Sequence, residues 1–492
     1  MQVDRGQVIG TSDVELVLGP WSAGRGALHV KLASALRRAV EHRALVPGSR
    51  MPSERELARQ LLVSRTTVVA AYDALRADGL LESRRGSGTR VARLSPLPLG
   101  AEVSLSPVYR SLLQDDDGEI VSLACAINPV HPAVGEAMTA VATDASRTLL
   151  PRTGYLPLGL PELRARLAEH HTRAGFPTTP EQIIVTTGAQ QAVNLCAALL
   201  VQPGDRVVVE SPSFAGTIDA FRAAATRFVP VPVDAGGVDV RGVRDAIERD
   251  DPALVYLIPT FHNPTGVLLE RSRRVELAQL AQECGVPIVE DNALELMTLN
   301  DDELPPPIGA CGEQDAPIFT IGSFGKLAWG GLRVGWLRGP AAVVGRLGEL
   351  KASADLGTPL FDQAVAARLV DEFDRMRRDR RAELEANLAF VTDFLARRLP
   401  AWEWPPPAGG VSLWIRLPRG TAAAFAQIAL RHGVEVIPGD VMSPTGGHGD
   451  YFRLPITAPP DQLDVILHRL EAAWDVYTED TTESRCTPAV IV

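Results

Sequence analysis

The sequence lacks any apolar run approaching the roughly 18 residues that a membrane-spanning helix requires. It also lacks internal repeats and long low-complexity segments. Its first residues include Asp4, Asp13 and Glu15 and no apolar core, so we do not expect a signal peptide. These absences predict a protein without membrane helices, which we expect to be cytoplasmic.

Cysteine is also scarce, with five residues in the whole chain. Their number is odd, and no two of them have the spacing of metal ligands. A disulfide framework and a metal site are therefore both unexpected, and free thiols are the plain interpretation. The five residues are Cys125, Cys196, Cys284, Cys311 and Cys486.

Charge is distributed unevenly along the 492 residues. The hydrophobic fraction of 46% and the charged fraction of 22% are typical of a globular protein, and the length predicts two or three domains. The net charge is −11, yet residues 21–93 hold 14 Lys and Arg against six Asp and Glu, which leaves −19 for the remainder. A basic segment on an acidic body indicates that only the N-terminal part meets a polyanion.

Three short helices are predicted within the basic segment. Apolar residues recur every four positions from Leu28 to Val40, which predicts the first helix. Ser53 and Glu56 have the spacing of a capping box and open a second helix. Ser64 is the candidate N-cap of a third helix. This order predicts a helix-turn-helix whose last helix presents its first turn to base edges in the major groove of DNA.

Two short extended pieces follow, at residues 80–83 and 89–91, and a basic glycine-rich loop joins them. Such a hairpin tip can lie on phosphates or enter the minor groove. The alternative is a small helical interaction module whose arginines are only solvated. The agreement of charge, capped helices and basic hairpin favours DNA binding.

Residues 25–92 resemble the winged helix-turn-helix of the GntR family. The resemblance lies in LVPGSRMPSERELA at 45–58, VSRTTV at 63–68 and GSG at 86–88. It implies that the arginine of the second helix, the start of the third helix and the wing contact DNA. The implied residues are Arg55, Ser64, Arg65, Thr66, Thr67, Arg84, Arg85, Gly86, Ser87 and Gly88.

The pattern breaks down between residues 93 and 118, where Pro96, Pro98 and Pro107 exclude regular structure. This composition predicts a mostly extended linker with one short helical piece near residues 108–113. A domain boundary belongs here because the segment separates the basic module from the acidic body. We therefore predict a DNA-binding domain at 21–92, a linker at 93–118, a large domain at 119–475 and a C-terminal tail at 476–492.

Beyond residue 119, apolar strand-like segments alternate with amphipathic helices. Strands are predicted at 182–186, 206–210, 254–259, 287–290 and 318–321, and helices at 160–174, 189–200 and 272–284. Short and fully apolar strands of this kind predict a mainly parallel sheet covered on both faces. Ligands of such sheets bind beyond the carboxyl ends of the strands, so we expect the functional residues there.

Four of these strands are followed by residues suited to a flat, phosphorylated ring. Residues 188–190, Gly-Ala-Gln, open a helix whose backbone N–H groups suit a phosphate. Phe214 could stack on the ring, Asn263 could donate to a ring oxygen, and Asp291 could pair with a pyridinium nitrogen. Each of these four features also has an ordinary interpretation. In the same order, these are a helix opening, a core aromatic residue, a turn and a helix N-cap.

The fifth strand leads into a glycine-rich loop that contains Lys326. Ser323 precedes this lysine and Arg333 follows it, and the two could hold a phosphate beside its amine. A lysine whose pKa is lowered can form a Schiff base with an aldehyde. A surface lysine in an ordinary loop is the alternative for this stretch alone. The order of all five strand ends predicts a site for pyridoxal phosphate.

That order resembles the aspartate-aminotransferase superfamily, fold type I of the pyridoxal-phosphate enzymes, over about residues 119–475. The resemblance implies that Lys326 carries the cofactor as a Schiff base and that Arg453 binds the α-carboxylate of a substrate. It also implies large and small subdomains and a homodimer, in which Tyr155 reaches the phosphate of the partner subunit. The implied cofactor-binding residues are Tyr155, Gly188, Ala189, Gln190, Phe214, Asn263, Asp291, Ser323, Lys326 and Arg333.

One position departs from the family. A tyrosine usually stands two or three residues after the aspartate and bonds the ring hydroxyl, but Asn292, Ala293 and Leu294 follow Asp291 here. Phe214, where a tyrosine is common among related regulators, is a milder change. Together these differences indicate that cofactor binding is kept while turnover is reduced.

A GntR-like winged helix followed by an aminotransferase-like domain is the architecture of the MocR subfamily of transcription regulators, which this sequence resembles. The predicted fold is therefore multidomain, with an N-terminal all-α winged helix-turn-helix and then an α/β transferase fold of type I. The resemblance implies a regulator that binds double-stranded operator DNA and pyridoxal phosphate and that responds to an amino acid, an amine or the cofactor itself.

Two alternatives to this regulator remain open. The first is a working aminotransferase with an accessory DNA-binding module. The second is a regulator that has lost the cofactor and uses its large domain only to dimerise. Neither alternative calls for a metal ion or a membrane.

Overall fold

The computed structural model describes residues 27–41, 45, 49–78, 80–84, 88–92, 120–313 and 315–486, together with residues 18, 21 and 108. The chain divides into two compact units, Met1–Ser104 and Leu105–Val492. Most of the predicted linker lies outside the described residues. So do the predicted wing residues Arg85, Gly86 and Ser87, as well as the side chain of Arg84.

Within the described residues, the first unit has the three helices and the β-hairpin that the sequence predicted. Its core is formed by buried apolar residues from all of these elements, including Leu36, Leu57, Tyr72, Leu75 and Val91. The elements are α1 (Leu28–Glu41), α2 (Glu54–Gln60), α3 (Arg65–Ala77), β1 (Leu81–Arg84) and β2 (Gly88–Val91), with β1 and β2 antiparallel.

Side-chain caps fix where α2 and α3 begin. The Ser53 hydroxyl accepts from the Glu56 N–H at 3.3 Å, and the Glu56 carboxylate accepts from the Ser53 N–H at 3.0 Å, so the predicted capping box is confirmed. The Ser64 hydroxyl caps α3 by accepting from the Thr67 N–H at 3.1 Å. Each such cap typically contributes about 1 kcal/mol of stability. The Ser64 cap therefore fixes the end of the short turn between α2 and α3.

The hairpin is anchored by a segment that the sequence did not predict to be extended. The Met51 N–H donates to the Thr89 carbonyl at 2.8 Å, and the Val91 N–H donates to the Ser49 carbonyl at 2.9 Å. Arg50 forms an antiparallel bridge with Arg90 between these two bonds. The segment just before α2 is thereby paired with β2, which ties the hairpin to the helices.

The second unit is built on an eight-stranded sheet. The strand order is β4-β11-β10-β9-β8-β5-β6-β7, and only β11 and β7 run antiparallel to their neighbours. The strands are β4 (Ile183–Thr186), β5 (Arg206–Ser211), β6 (Arg227–Asp234), β7 (Gly237–Val238), β8 (Leu254–Leu257), β9 (Ile288–Asp291), β10 (Ile318–Ser323) and β11 (Gly335–Arg338). The predicted mainly parallel sheet is confirmed, and all five predicted strands are present with ends within two residues of the predicted ones.

Helices cover both faces of this sheet, which explains why its strands are apolar throughout. On β5, Val207 and Val209 pack into one hydrophobic cluster while Val208 packs into another. The helices of the unit are α4 (Pro132–Thr148), α5 (Pro161–Arg173), α6 (Ala189–Leu200), α7 (Ala215–Ala223), α8 (Val240–Asp250), α9 (Arg271–Cys284), α10 (Ile308–Cys311), α11 (Ala341–Asp355), α12 (Leu360–Val370), α13 (Phe373–Arg398), α14 (Ala422–Arg431) and α15 (Pro460–Cys486). Helix α15 continues through residue 476, where a tail was predicted to begin.

A smaller antiparallel sheet lies in the C-terminal part of this unit, where the sequence predicted a small subdomain. Its order is β12-β15-β14, and a separate parallel pair joins β13 to β3 near the start of the unit. The strands are β3 (Val121–Ser122), β12 (Ser412–Arg416), β13 (Val434–Glu435), β14 (Ile437–Pro438) and β15 (Tyr451–Pro455).

Strands β10 and β11 are adjacent and antiparallel, and Ser323 is paired with Gly335 at their ends. The connection between them is residues 324–334, which we call the anchor loop and which contains Lys326 and Arg333. Glycine is needed where this loop meets the rest of the sheet, because a Cβ at Gly335 would lie 2.8 Å from the Gly188 backbone. The C-terminal end of the loop is therefore held against the start of α6.

The described residues contain neither a candidate membrane span nor a cluster of metal ligands. Within the described ranges, no helix is long and apolar enough to cross a membrane. The same residues contain no group of three or more His, Cys, Asp or Glu side chains placed to hold a metal ion.

Candidate cofactor site and DNA-binding surface

A cavity of about 210 Å³ lies beyond the carboxyl ends of the parallel strands, where the sequence predicted a ligand. Its wall combines residues that follow β4, β5, β8, β9 and β10 with residues of the smaller sheet. The structure brings nine predicted site residues together in this wall, namely Ala189, Gln190, Phe214, Asn263, Asp291, Ser323, Lys326, Arg333 and Arg453.

One side of the cavity has the features of an anion site. Helix α6 begins at Gly188, whose φ of +79° favours glycine, and its first backbone N–H groups have no partners within the helix. The Arg333 guanidinium donates to the Thr187 carbonyl at 2.9 Å, and a Cβ at Gly188 would lie 2.8 Å from its Nη2. Ser323 lines the same cavity, and its hydroxyl accepts from the Gly325 N–H at 3.1 Å. A helix N-terminus, a guanidinium and a hydroxyl together suit a phosphate.

Lys326 lies on the anchor loop at the centre of the cavity wall. Its Nζ donates to the Ala126 carbonyl at 2.5 Å, and its own carbonyl accepts from Asn128 Nδ2 at 2.6 Å. Burial lowers the pKa of Lys326 to about 8, and the positive charges of Arg453 and Arg333 act in the same direction. A larger fraction of the amine is therefore uncharged near neutral pH than for an ordinary lysine, which favours attack on an aldehyde.

Asp291 is a buried carboxylate at the end of β9. Its Oδ2 accepts from the Tyr256 hydroxyl at 2.7 Å, and its Oδ1 accepts from the Ala293 N–H at 2.9 Å. Burial raises the pKa of Asp291, whereas these two hydrogen bonds lower it. Among the described residues, no cationic side chain forms a salt bridge with this carboxylate.

Arg453, on β15, is the complementary case of a buried cation. Its guanidinium donates to the Ala124 carbonyl, to the Leu123 carbonyl at 3.4 Å and to Asn263 Oδ1 at 3.4 Å, while its Nε has no partner. Burial lowers the pKa of Arg453 to about 10, so it is still charged at neutral pH. Within the described part of the chain, no carboxylate pairs with it.

The aromatic and amide residues are placed around the same space. A Cβ at Gly216 would lie 2.5 Å from the Phe214 ring, so this glycine makes room for the ring beside the cavity. Gln190 donates to the Gly216 carbonyl at 3.0 Å. Tyr155 is not part of the cavity wall of its own subunit and is 67% exposed. Its expected role in a partner subunit stays a prediction.

Sequence reasoning missed Tyr256, whose hydroxyl is fully buried on β8. The available signal was a hydroxyl within an otherwise apolar strand, but only the pairing of β8 with β9 places it beside Asp291. Ala293 and Leu294, which follow Asp291 in place of the tyrosine of the family, line the cavity with apolar side chains.

The first turn of α3 is the candidate DNA-binding surface. Arg55, Ser64, Arg65 and Thr66 are exposed, and Thr67 is half-buried. The Arg65 side chain is 57% exposed and lies 3.4 Å from Glu54. The Ser64 hydroxyl is already engaged as the N-cap. At the wing, Gly88 has a φ of +81° and lies against the side chain of Arg50, an exposed arginine that the sequence analysis had not singled out.

The charges of the cavity fit pyridoxal phosphate. The anion site matches the phosphate, and Asp291 is a buried carboxylate without a cation, which matches a pyridinium. Buried charges are costly unless they are paired, so Asp291 and Arg453 indicate a ligand that supplies both partners. A pyridinium would pair with Asp291, and a ligand carboxylate would pair with Arg453.

Comparison with known families assigns both units. The family model for aminotransferase class I and II matches residues 130–470, and the model for bacterial regulatory proteins of the gntR family matches residues 28–91. These matches confirm the predicted multidomain fold, and the aminotransferase fold implies pyridoxal phosphate as the cofactor.

Several relatives are similar over most of this chain. The chain is 29% identical to the uncharacterised HTH-type transcriptional regulator YisV of Bacillus subtilis, over 86% of this chain and 92% of that protein. It is 28% identical to the probable rhizopine catabolism regulatory protein MocR of Rhizobium meliloti, over 76% of this chain and 78% of that one. These relatives support the predicted two-part architecture.

A solved enzyme structure matches the second unit. The α-aminoadipate aminotransferase LysN of Thermus thermophilus, complexed with N-(5′-phosphopyridoxyl)-L-leucine, superimposes with a TM-score of 0.67 at 29% identity. The match covers 74% of this chain and 94% of that one.

Proposed function

This chain belongs to the aminotransferase class I and II family and carries a GntR-family region, and from that premise we propose that it is a transcription regulator of the MocR type. Its N-terminal unit binds double-stranded operator DNA, and its C-terminal unit binds pyridoxal phosphate. An amino acid or amine that binds at the cofactor site changes the affinity for DNA. The observation that carries this proposal is that one polypeptide combines a capped helix-turn-helix with a charged cavity. In that cavity, a buried acid and a buried arginine have no ion-pair partner among the described residues.

Each residue of the cavity has a distinct task in this proposal. Bound pyridoxal phosphate supplies an aldehyde that reacts with amines and a ring that withdraws electrons. Arg333 and the start of α6 hold the phosphate, Asp291 holds the ring nitrogen, and Lys326 provides the attachment point. Arg453 binds the carboxylate of an incoming amino acid.

Regulation requires that the ligand bind two states of the protein with different affinity. We place these two states in a homodimer, in which Tyr155 completes the partner subunit's site. Two DNA-binding units in one dimer also gain affinity for paired half-sites, because the second contact becomes intramolecular. The test is the affinity for selected operator DNA with and without pyridoxal phosphate and amino acids, and an affinity that no ligand alters would contradict the proposal.

We expect the effector to be an amino acid with an uncharged side chain. Among the described residues of the cavity wall, the charged ones are Asp291, Lys326, Arg333 and Arg453, and each already has a task. Val108, Cys125, Leu294 and Val411 make up uncharged parts of the wall. A second charge on the ligand would be buried without a partner.

Titration of the cofactor-loaded protein, followed by visible absorbance, tests this expectation. Alanine, norvaline and leucine are expected to bind at least about tenfold more tightly than aspartate, glutamate and lysine, since an unpaired buried charge costs more than about 1 kcal/mol. Equal or tighter binding of a charged amino acid would show that another group, such as one from the partner subunit, lines the pocket.

On the DNA side, replacing Arg65 by alanine is expected to weaken operator binding about tenfold, because one good base contact contributes roughly 1–3 kcal/mol. Arg37→Ala is the matched control, since Arg37 is also an exposed, ion-paired arginine but contacts Asp78 at the other end of α3. Fluorescence anisotropy with selected operator DNA measures both variants. Equal losses in the two variants would remove Arg65 from the set of base contacts.

The working aminotransferase remains the second candidate, and the lowered pKa of Lys326 is the observation that favours it. The apolar side chains of Ala293 and Leu294 in the cavity count against it. Steady-state assays with pairs of amino acids and keto acids separate the two functions. Sustained turnover, well beyond one equivalent per site, would favour the enzyme.

A further inference from the structure

The side chain that directly supports Asp291 comes from the neighbouring strand. Tyr256 lies on β8, next to β9, and is 0% exposed. Its hydroxyl donates to Asp291 Oδ2 at 2.7 Å, while the Ala293 N–H holds Oδ1 at 2.9 Å. The two carboxylate oxygens accept hydrogen bonds from different parts of the chain. These two bonds together fix the plane of the carboxylate.

We propose that Tyr256 is a positioning residue that keeps the Asp291 carboxylate charged and oriented toward the ring nitrogen of the cofactor. This inference rests on the proposed cofactor site. Tyr256 is not part of the cavity wall. It acts through Asp291, because a charge-assisted hydrogen bond stabilises the ionised carboxylate over its protonated form.

The surroundings show why such support is needed. Glu210, a second buried carboxylate, accepts from the Ile258 N–H at 2.7 Å and lies 3.4 Å from His262 Nε2. Both burial and the charge of Glu210 raise the pKa of Asp291. The Tyr256 hydroxyl and the Ala293 N–H oppose them. Removal of the hydroxyl would leave one of these two donors.

This role differs from that of the tyrosine that the sequence lacks. A tyrosine after Asp291 would bond the ring hydroxyl, whereas Tyr256 supports the carboxylate from the side of β8. The hydrogen bond from Tyr256, which favours a protonated ring nitrogen, is therefore kept. The tyrosine that would bond the ring hydroxyl is replaced by Ala293 and Leu294. In this inference, Tyr256 and Asp291 serve to retain the cofactor, whereas Ala293 and Leu294 reduce its chemistry.

The test compares two ligands on the full-length apoprotein. One is pyridoxal phosphate, and the other is its 1-deaza analogue, in which a C–H group replaces the ring nitrogen. Tyr256→Phe removes only the hydroxyl and is expected to weaken pyridoxal phosphate binding about tenfold, the factor typical of one hydrogen bond to a charged group. Binding of the analogue is expected to change less than about twofold, because the analogue has no pyridinium for Asp291 to hold.

Tyr477→Phe is the matched control. Tyr477 is also buried, and its hydroxyl is hydrogen-bonded to the backbone of Thr421, remote from Asp291 in sequence and outside the cavity wall. It is expected to leave the affinity for both ligands unchanged. Equal losses of both ligands in Tyr256→Phe, or no loss of either, would overturn the inference.

A double-mutant cycle provides a second test of the same inference. In the Asp291→Asn background, removal of the Tyr256 hydroxyl is expected to change the affinity for pyridoxal phosphate no more than it changes the affinity for the analogue. A full additional tenfold loss would contradict a role through Asp291. Wild-type protein that binds neither ligand would instead overturn the cofactor assignment on which the inference rests.

Discussion

Replacing Lys326 by alanine is expected to abolish covalent retention of the cofactor and its characteristic visible absorbance, while DNA binding remains measurable. The lysine amine is the proposed attachment point on the anchor loop, and burial, together with the nearby arginines, lowers its pKa to about 8. The proposed phosphate site of Gly188, Ser323 and Arg333 does not depend on this side chain, so weak, dialysable cofactor binding should persist.

Chemical trapping makes this result sharp, because the chain contains only three lysines, Lys31, Lys326 and Lys351. Borohydride reduction of the loaded protein, followed by peptide mass spectrometry, should place the cofactor on Lys326 alone. Lys351 is an internal control, since it is buried on α11 and ion-paired with Asp355. Trapping of the cofactor on Lys31 or Lys351, or full retention by Lys326→Ala, would contradict the assignment.

Replacing Arg453 by leucine is expected to weaken amino acid binding roughly 100-fold, because two charge-assisted hydrogen bonds to the carboxylate would be lost. Amines without a carboxylate should bind as they do to the wild type. Cofactor affinity should change little, because the phosphate and pyridinium sites lie on other residues. Titration of the loaded protein with matched pairs, such as alanine and ethylamine, measures the effect.

The stability of this variant is informative as well. Arg453 is a buried cation without a carboxylate partner in the described structure, so an apolar replacement is expected to leave the melting temperature of the apoprotein unchanged or to raise it. Arg338→Leu is the control for loss of a buried arginine, because Arg338 stacks on Phe176 outside the cavity. If amines and amino acids lose affinity equally in Arg453→Leu, Arg453 does not recognise a carboxylate.

Local chemistry made much of the fold predictable from sequence. The caps at Ser53 and Ser64 use side chains within three residues of their partners, so their spacing is visible in the sequence. The parallel strands are uninterrupted apolar runs because both faces are covered by helices. Residues that follow those runs converge on one edge of the sheet, which is why eight predicted residues line one cavity together with Arg453 of the smaller sheet.

Non-local pairing accounts for what the sequence did not reveal. Tyr256 meets Asp291 only because β8 pairs with β9, and 35 residues separate the two. Strand β11 lies between β4 and β10 and runs antiparallel to both, which a series of parallel strands does not predict. The pairing of Ser49 and Met51 with β2 joins segments on either side of the helix-turn-helix. Such contacts depend on the assembled sheet and have no local signature.

The anchor loop has a consequence for how the protein moves. Because β10 and β11 are paired up to Ser323 and Gly335, residues 324–334 form a short closed span with few accessible conformations. We therefore expect Lys326 and Arg333, the proposed phosphate ligand, to move together as one stiff unit. We expect a signal to leave this cavity instead through the part of its wall that contains Val108, Val411 and Arg453. Of these three, Val108 lies in the stretch of chain that leads back to the DNA-binding unit.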